Sequence, residues 1–176
     1  MSALILGIDP GSVVTGYGAV REDEGKLTCV DAGVVKTPSK QAFPQRLATI
    51  HRELSAAIGR IQPDAAAIES VFHAKNASSA LKLGQARGAA IVAAVQAGLE
   101  IHEYPPAKVK QAVTGAGRAD KRQVRMMVET LLGRRFDLPD DATDALAVAI
   151  CHLHAAPLAE KLTAAEALSQ RKRRRR

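Results

Sequence analysis

Five β-like runs between Ala3 and Tyr104 are joined in two different ways, and the change from one to the other leaves few topologies open. Ala3 to Asp9, Gly16 to Arg21 and Leu27 to Thr37 are separated only by turn signals, Pro10-Gly11-Ser12 and the region of Gly25, so they read as an antiparallel meander. Beyond them the links have the length of helices. Leu47, Ile50, Leu54, Ile58 and Ile61 recur at steps of three and four across Phe43 to Ile61, which predicts a helix lying on a sheet and stopped by Pro63. Ala65 to Ile68 is wholly apolar between Asp64 and Glu69, the mark of a buried central strand reached by a helical crossover. A second helix over Asn76 to Ala97 and a fifth strand over Glu100 to Tyr104 complete a β-β-β-α-β-α-β order. The expected fold is α/β: a five-stranded mixed sheet, three antiparallel strands and then two parallel ones, flanked by helices.

After Pro105-Pro106 three shorter helices are expected, about Ala107 to Val113, Asp120 to Leu132 and Asp141 to His154. Residues 1–158 read as one domain and 159–176 as a flexible basic tail. A chain of 176 residues can bury a core without staples, and with only 3% aromatic residues that core falls to Ala, Val, Leu and Ile. Cys29 and Cys151 are far apart and form no CxxC pair, which argues against a disulfide framework or a zinc site and fits a reducing cytoplasm. The longest apolar stretch, Gly88 to Val95, is too short to span a bilayer, and no basic leader precedes Ala3, so neither export nor membrane insertion is expected.

The net charge of +7 is misleading, because Arg171 to Arg176 read RKRRRR and leave the body at +1. A local patch is more informative. Between Pro105 and Val128 lie Lys108, Lys110, Arg118, Lys121, Arg122 and Arg125, against the single acid Asp120. The tail itself reads equally as a solubilising end or as a sequence-independent phosphate contact.

Four acids carry the chemistry. Asp9 ends the first strand, Glu69 closes the buried strand, and Asp141 and Asp144 stand three apart on one face at the start of an apolar helix. Taken singly, each has an ordinary explanation: a turn residue, a solvated strand end, and acids favoured by a helix N-terminus. Taken together, they place carboxylates from three elements around one point. Converging carboxylates repel one another and a DNA phosphate alike, so the cluster calls for divalent cations. Magnesium fits, two ions about 4 Å apart serving in-line phosphodiester hydrolysis, with manganese as an alternative. The five histidines show no ligand spacing; His152 and His154 face different ways on a helix and are expected at the surface.

With these residues in view, the chain resembles the RuvC family of Holliday-junction endodeoxyribonucleases. The likeness runs from GIDPGSVVTGYG through AAAIESVFHAKNASSALKLGQARGAAIVAAV and KVKQAVTGAGRADKRQV to DDATDALAVAI, in family order and spacing. It implies a ribonuclease H-like fold, a homodimer, and Asp9, Glu69, Asp141 and Asp144 as metal-binding acids. Some relatives have histidine where this chain has Asp141, so an all-carboxylate site is implied. Lys110 and Lys121 match basic residues near the scissile phosphate, and Phe72 matches an aromatic that stacks on a base at the opened branch point, an ordinary packing role being the alternative. Lys75, Asn76, Ser79, Lys82, Gln85, Arg87, Arg118 and Arg122 are further candidates for DNA backbone contact, with helix capping by Asn76 or Ser78 as the competing role for that loop. The resemblance also implies nicked duplexes with 5′-phosphate and 3′-hydroxyl ends, a junction-binding protein and a hexameric branch-migration ATPase as partners, and work on the bacterial nucleoid.

Other classes compete. The first hairpin is similar to that of actin-like and sugar-kinase nucleotide-binding proteins, but two such lobes need roughly twice this length. A junction-binding scaffold without catalysis accounts for the basic segment and not for the acids. A nuclease of the same fold for another branched nucleic acid would use the same metal chemistry. Along Asn76 to Ala97, the small residues Ala77, Ala80, Gly84 and Gly88 form a stripe that suits either the chain's own sheet or a dimer interface.

Overall fold

A computed structural model describes residues 2–70 and 76–155. The elements are β1 (Ala3–Asp9), β2 (Val14–Asp23), β3 (Lys26–Lys36), α1 (Phe43–Ile61), β4 (Ala65–Glu69), α2 (Ala77–Gln96), β5 (Glu100–Tyr104), α3 (Pro106–Thr114), α4 (Lys121–Leu131) and a last helix, α5, over 140–155. The strands form one sheet in the order β3-β2-β1-β4-β5. β1 pairs antiparallel with β2 and parallel with β4, and β4 pairs parallel with β5. The expected mixed sheet is therefore present, with β4 in the interior as its apolar run demands.

The two faces of the sheet build two cores, because strand side chains alternate. Leu4, Leu6 and Ile8 of β1, with Ala66 and Ile68 of β4, meet Ile50, Leu54 and Ile58 of α1 and the alanines Ala86, Ala90, Ala93 and Ala94 of α2. Ile5, Val20 and Ala67 face the opposite layer, where Val109, Val113, Val124, Val128, Leu146 and Ile150 pack. β2 is longer than its apolar run suggests. Glu24 and Gly25 both take positive φ, 48° and 82°, and this two-residue turn zips the ladder down to Asp23–Lys26 despite the polar residues there.

Helix ends follow their local chemistry. Asp120 and Gln123 form a reciprocal capping box on α4, Asn76 caps α2 by accepting from the Ser79 amide at 2.8 Å, and Gln62 closes α1 in the left-handed conformation before Pro63. One expectation needs correction. His152 is buried rather than exposed: its Nδ1 lies 2.8 Å from the Tyr104 hydroxyl, its ring centre is 4.3 Å from that of His102 with the planes tilted by 40°, and burial lowers its pKa to about 4. α5 is covered on both sides over most of its length, so a single polar residue in its apolar stretch is carried inside with a partner.

α5 is seated directly on strand backbone. A Cβ on Gly7 of β1 would collide with the Ala145 carbonyl oxygen and the Ala149 amide, and one on Gly16 of β2 would collide with the Asp141 carbonyl. Neither neighbour is a flexible side chain that could swing away. We expect Gly7→Ala to cost about 3 kcal/mol in urea-monitored unfolding, whereas Gly59→Ala, where nothing lies within 4 Å, changes stability little or raises it. Equal stability of the Gly7 variant and wild type would show that α5 is not held by this contact.

Candidate active site

Asp9 and Glu69 stand at the carboxyl ends of adjacent parallel strands, one residue beyond the paired Ile8 and Ile68. Neighbouring strands lie roughly 4.8 Å apart, so the two side chains leave the sheet side by side. Asp9 is also opposite Gly16 in the β1–β2 ladder, and the missing side chain at Gly16 is what admits the Asp141 backbone. The start of α5 is thereby set against the same sheet edge, bringing Asp141 and Asp144 within the field of Asp9.

The electrostatics report this convergence. Burial and then the charges of Glu69, Asp144 and Asp141 push the Asp9 carboxyl up to about 8, with Lys121 opposing. Glu69 is raised by burial and by Asp144, opposed by Lys121 and Lys110. Lys121 Nζ lies 3.0 Å from Asp144 Oδ2, and that pair, more than any other interaction, holds the lysine charged. Four acids and two lysines thus share one field. Among the described residues no three His, Cys, Asp or Glu side chains stand close enough to hold a metal ion as placed, so the acids are grouped but not closed on a point. As a donor set they suit a hard divalent cation: all ligands are carboxylate oxygens, and a carboxyl with its pKa near 8 stays largely protonated at neutral pH unless positive charge is brought to it.

The family model for crossover junction endodeoxyribonuclease RuvC matches residues 5–152. This chain belongs to the RuvC family. The RuvC of Geobacter sp. strain M21 is 54% identical over 159 residues, covering 90% of this chain and 97% of the relative. Thermus thermophilus RuvC in complex with Holliday junction substrate superposes with a TM-score of 0.84 at 35% identity, covering 89% of this chain and 96% of that one. A yeast mitochondrial Holliday junction resolvase shares the fold alone, at 14% identity and a TM-score of 0.63 over 85% of this chain and 77% of that one. The RuvC-like architecture is ribonuclease H-like, and the family's nucleases depend on a metal.

In this RuvC-family chain the other candidate residues fall into distinct settings. Lys110 on α3 reaches the field of Glu69, whereas Arg118 and Arg122 are exposed in the α3–α4 loop and on the first turn of α4. Ser79 and Lys82 are exposed on α2, and Asn76 is committed to its cap. Arg87 is half-buried and its Nη2 lies 2.5 Å from Glu103 Oε2, so it is engaged within the fold. Phe72 and Lys75 lie outside the described residues. Arg125, one of the patch residues, is likewise engaged: it bridges Asp140 at 3.0 Å, donates to the Phe136 carbonyl at 2.8 Å and lies 3.5 Å from Glu129. It ties α4 to the approach to α5, a role that basic composition alone could not show.

Ala86, Ala90, Ala93 and Ala94 are the α2 residues turned to the sheet. The stripe of Ala77, Ala80, Gly84 and Gly88 is elsewhere on the helix, with open space around both glycines. No helix among the described residues is long and apolar enough to cross a membrane.

The sign of the Asp9 shift fixes a pH effect on the metal-free protein. A carboxyl whose folded pKa lies above its unfolded value favours folding while protonated, and that contribution is lost as pH rises from about 4 through about 8. In urea titrations in EDTA, Asp9→Asn should therefore gain stability relative to wild type as pH rises across this window, by up to about 6 kcal/mol at about 1.4 kcal/mol per pH unit. Identical pH profiles for the two proteins would show that Asp9 is not buried among the other acids.

Proposed function

We propose that this chain is a metal-dependent endonuclease that cuts four-way junction DNA, with Asp9, Glu69, Asp141 and Asp144 as its metal-binding acids. The observation that carries this reading is the convergence of four carboxylates from two strand ends and one helix start, with Lys110 and Lys121 at their edge. A hard divalent pair, magnesium with manganese as substitute, would be held by these acids and would activate a water and stabilise the leaving oxygen. The water oxygen forms the new bond to phosphorus as the bond to the 3′ oxygen breaks, giving a 5′ phosphate and a 3′ hydroxyl.

The chain's own residues define the rest. Asp9 and Glu69 are fixed by rigid strands, so their carboxylates cost little to order when the substrate arrives. Lys121 bonds Asp144 in this structure, and its ammonium can exchange that carboxylate for a phosphate oxygen of like charge. Lys110 compensates Glu69 and is the second candidate for a backbone phosphate. Arg118 and Arg122 extend the positive surface for the flanking arms, with Ser79, Lys82 and Lys75 as lesser contacts and Phe72 as the residue to stack on an opened base.

A four-way junction has near two-fold symmetry and must be nicked twice, which suits a closed homodimer carrying one site per subunit. Support for α2 as the dimer face comes from its open small-residue stripe and from Leu81, Val92 and Val95, which are 68%, 47% and 55% exposed. The further partners are a junction-binding protein and a hexameric branch-migration ATPase, acting with it on the nucleoid of a bacterial cytoplasm.

Labelled four-way junctions and linear duplexes of equal length, incubated with Mg²⁺, Mn²⁺ or EDTA, test the reading. Paired nicks confined to the junction and abolished by EDTA are expected. Asp9→Asn, Glu69→Gln and Asp144→Asn should each lower cleavage more than about 100-fold while junction binding in EDTA persists. Tight junction binding without cleavage under either ion would replace the nuclease by a scaffold. Separately, Lys110→Ala and Lys121→Ala should slow turnover and reduce the salt dependence of binding by about one phosphate each; an unchanged rate and slope would remove both from the phosphate-binding role.

A further inference from the structure

Arg46 is a buried cation in an unusual position. It lies on α1 with 7% of its surface exposed, and no carboxylate pairs with it among the described residues. Its Nη2 donates to the Ser12 carbonyl, its Nε donates to Thr37 Oγ1 at 3.3 Å, and its guanidinium lies 5.4 Å from the centre of the Phe43 ring. Burying an arginine without a counter-ion is unfavourable, so the bonds it makes must matter to the fold or to the site.

Those bonds hold the turn over residues 10–13. Thr37, itself 2% exposed, donates its hydroxyl to the carbonyls of Ser12 at 3.0 Å and Val13 at 3.2 Å, and its amide bonds Val13 O at 2.9 Å. From the other side the Thr15 hydroxyl donates to Gly11 O at 2.8 Å. Asp9 immediately precedes this turn, and Gly16, against which the Asp141 carbonyl is seated, soon follows it. The turn therefore joins the strand that carries Asp9 to the strand on which the start of α5 is seated. Arg46 is not among the charges acting on Asp9, so its influence runs through the backbone.

We propose that Arg46, acting with Thr37, is a positioning residue that holds the 10–13 turn and thereby sets Asp9 against the acids of α5. The inference rests on the nuclease reading above. A misplacement of about 1 Å at a reacting centre can cost on the order of 100-fold in rate, so a modest loosening of this turn has a large lever.

The test compares wild type with Arg46→Met, Arg46→Lys, Thr37→Val and the exposed control Arg52→Ala. Measured quantities are the junction cleavage rate at saturating DNA and Mn²⁺, the junction Kd in EDTA, and amide exchange of residues 11–15 in the metal-free protein. Arg46→Met should keep the junction Kd within about twofold, cleave at least about tenfold more slowly and exchange the turn amides faster. Arg46→Lys should recover part of the rate, because one ammonium can still reach the Ser12 carbonyl. Thr37→Val should behave as Arg46→Met does, and it stands in for that variant should it not fold. An unchanged rate per folded molecule, with unchanged exchange of the turn, would overturn the proposal. Absence of metal-dependent cleavage by wild type would instead overturn the nuclease reading on which it rests.

Discussion

Direct backbone contact between α5 and the sheet is the constraint on which the site depends. Helix and strand ordinarily meet through side chains, with axes about a side-chain layer apart. At Gly7 and Gly16 that layer is missing, and the Ala145 and Asp141 carbonyls occupy the space that a Cβ would take. The helix start is consequently brought down to the sheet edge, and the carboxylates of Asp141 and Asp144 come within the field of Asp9. Nothing in the acids themselves favours this meeting; it is imposed by packing.

Its electrostatic consequence is a site held under tension. Asp9 is buried beside three other acids and its pKa is pushed up to about 8, against the partial relief of Lys121. The folding free energy of the apolar layers must offset this repulsion, and those layers are extensive on both faces of the sheet. Strain of this kind is characteristic of sites built to receive positive charge, because the incoming cation is bound more tightly by groups that cannot relax apart.

Two arginines show how the same residue type serves different ends. Arg46 reaches the turn after Asp9, while Arg125 ties α4 to the segment leading into α5 through Asp140 and the Phe136 carbonyl. One steadies the strand side of the acid cluster and the other the helix side. Lys121 and Arg125 are one turn apart on α4, so the lysine that bonds Asp144 sits on the helix that Arg125 fixes. The basic segment is therefore part framework and part surface.

The order of elements, the mixed sheet and the placement of Asp9 and Glu69 at strand ends were legible in the sequence, because period-two and period-3.6 patterns are local and each element carries its own. The pairing of Asp141 with Asp144 on one helix face was legible for the same reason. Other features were beyond reach. His152 looked like a surface residue until α5 was covered on both sides and Tyr104 met its ring. Arg87 and Arg125 looked like free cations until Glu103 and Asp140 were brought opposite them from other elements. The small-residue stripe of α2 could have faced inward, and the alanines at 86, 90, 93 and 94 took that place. A sequence specifies which face of an element is apolar; which group on a distant element lies across from a given side chain is decided only when the layers pack, and burial, pairing and pKa all follow from that contact.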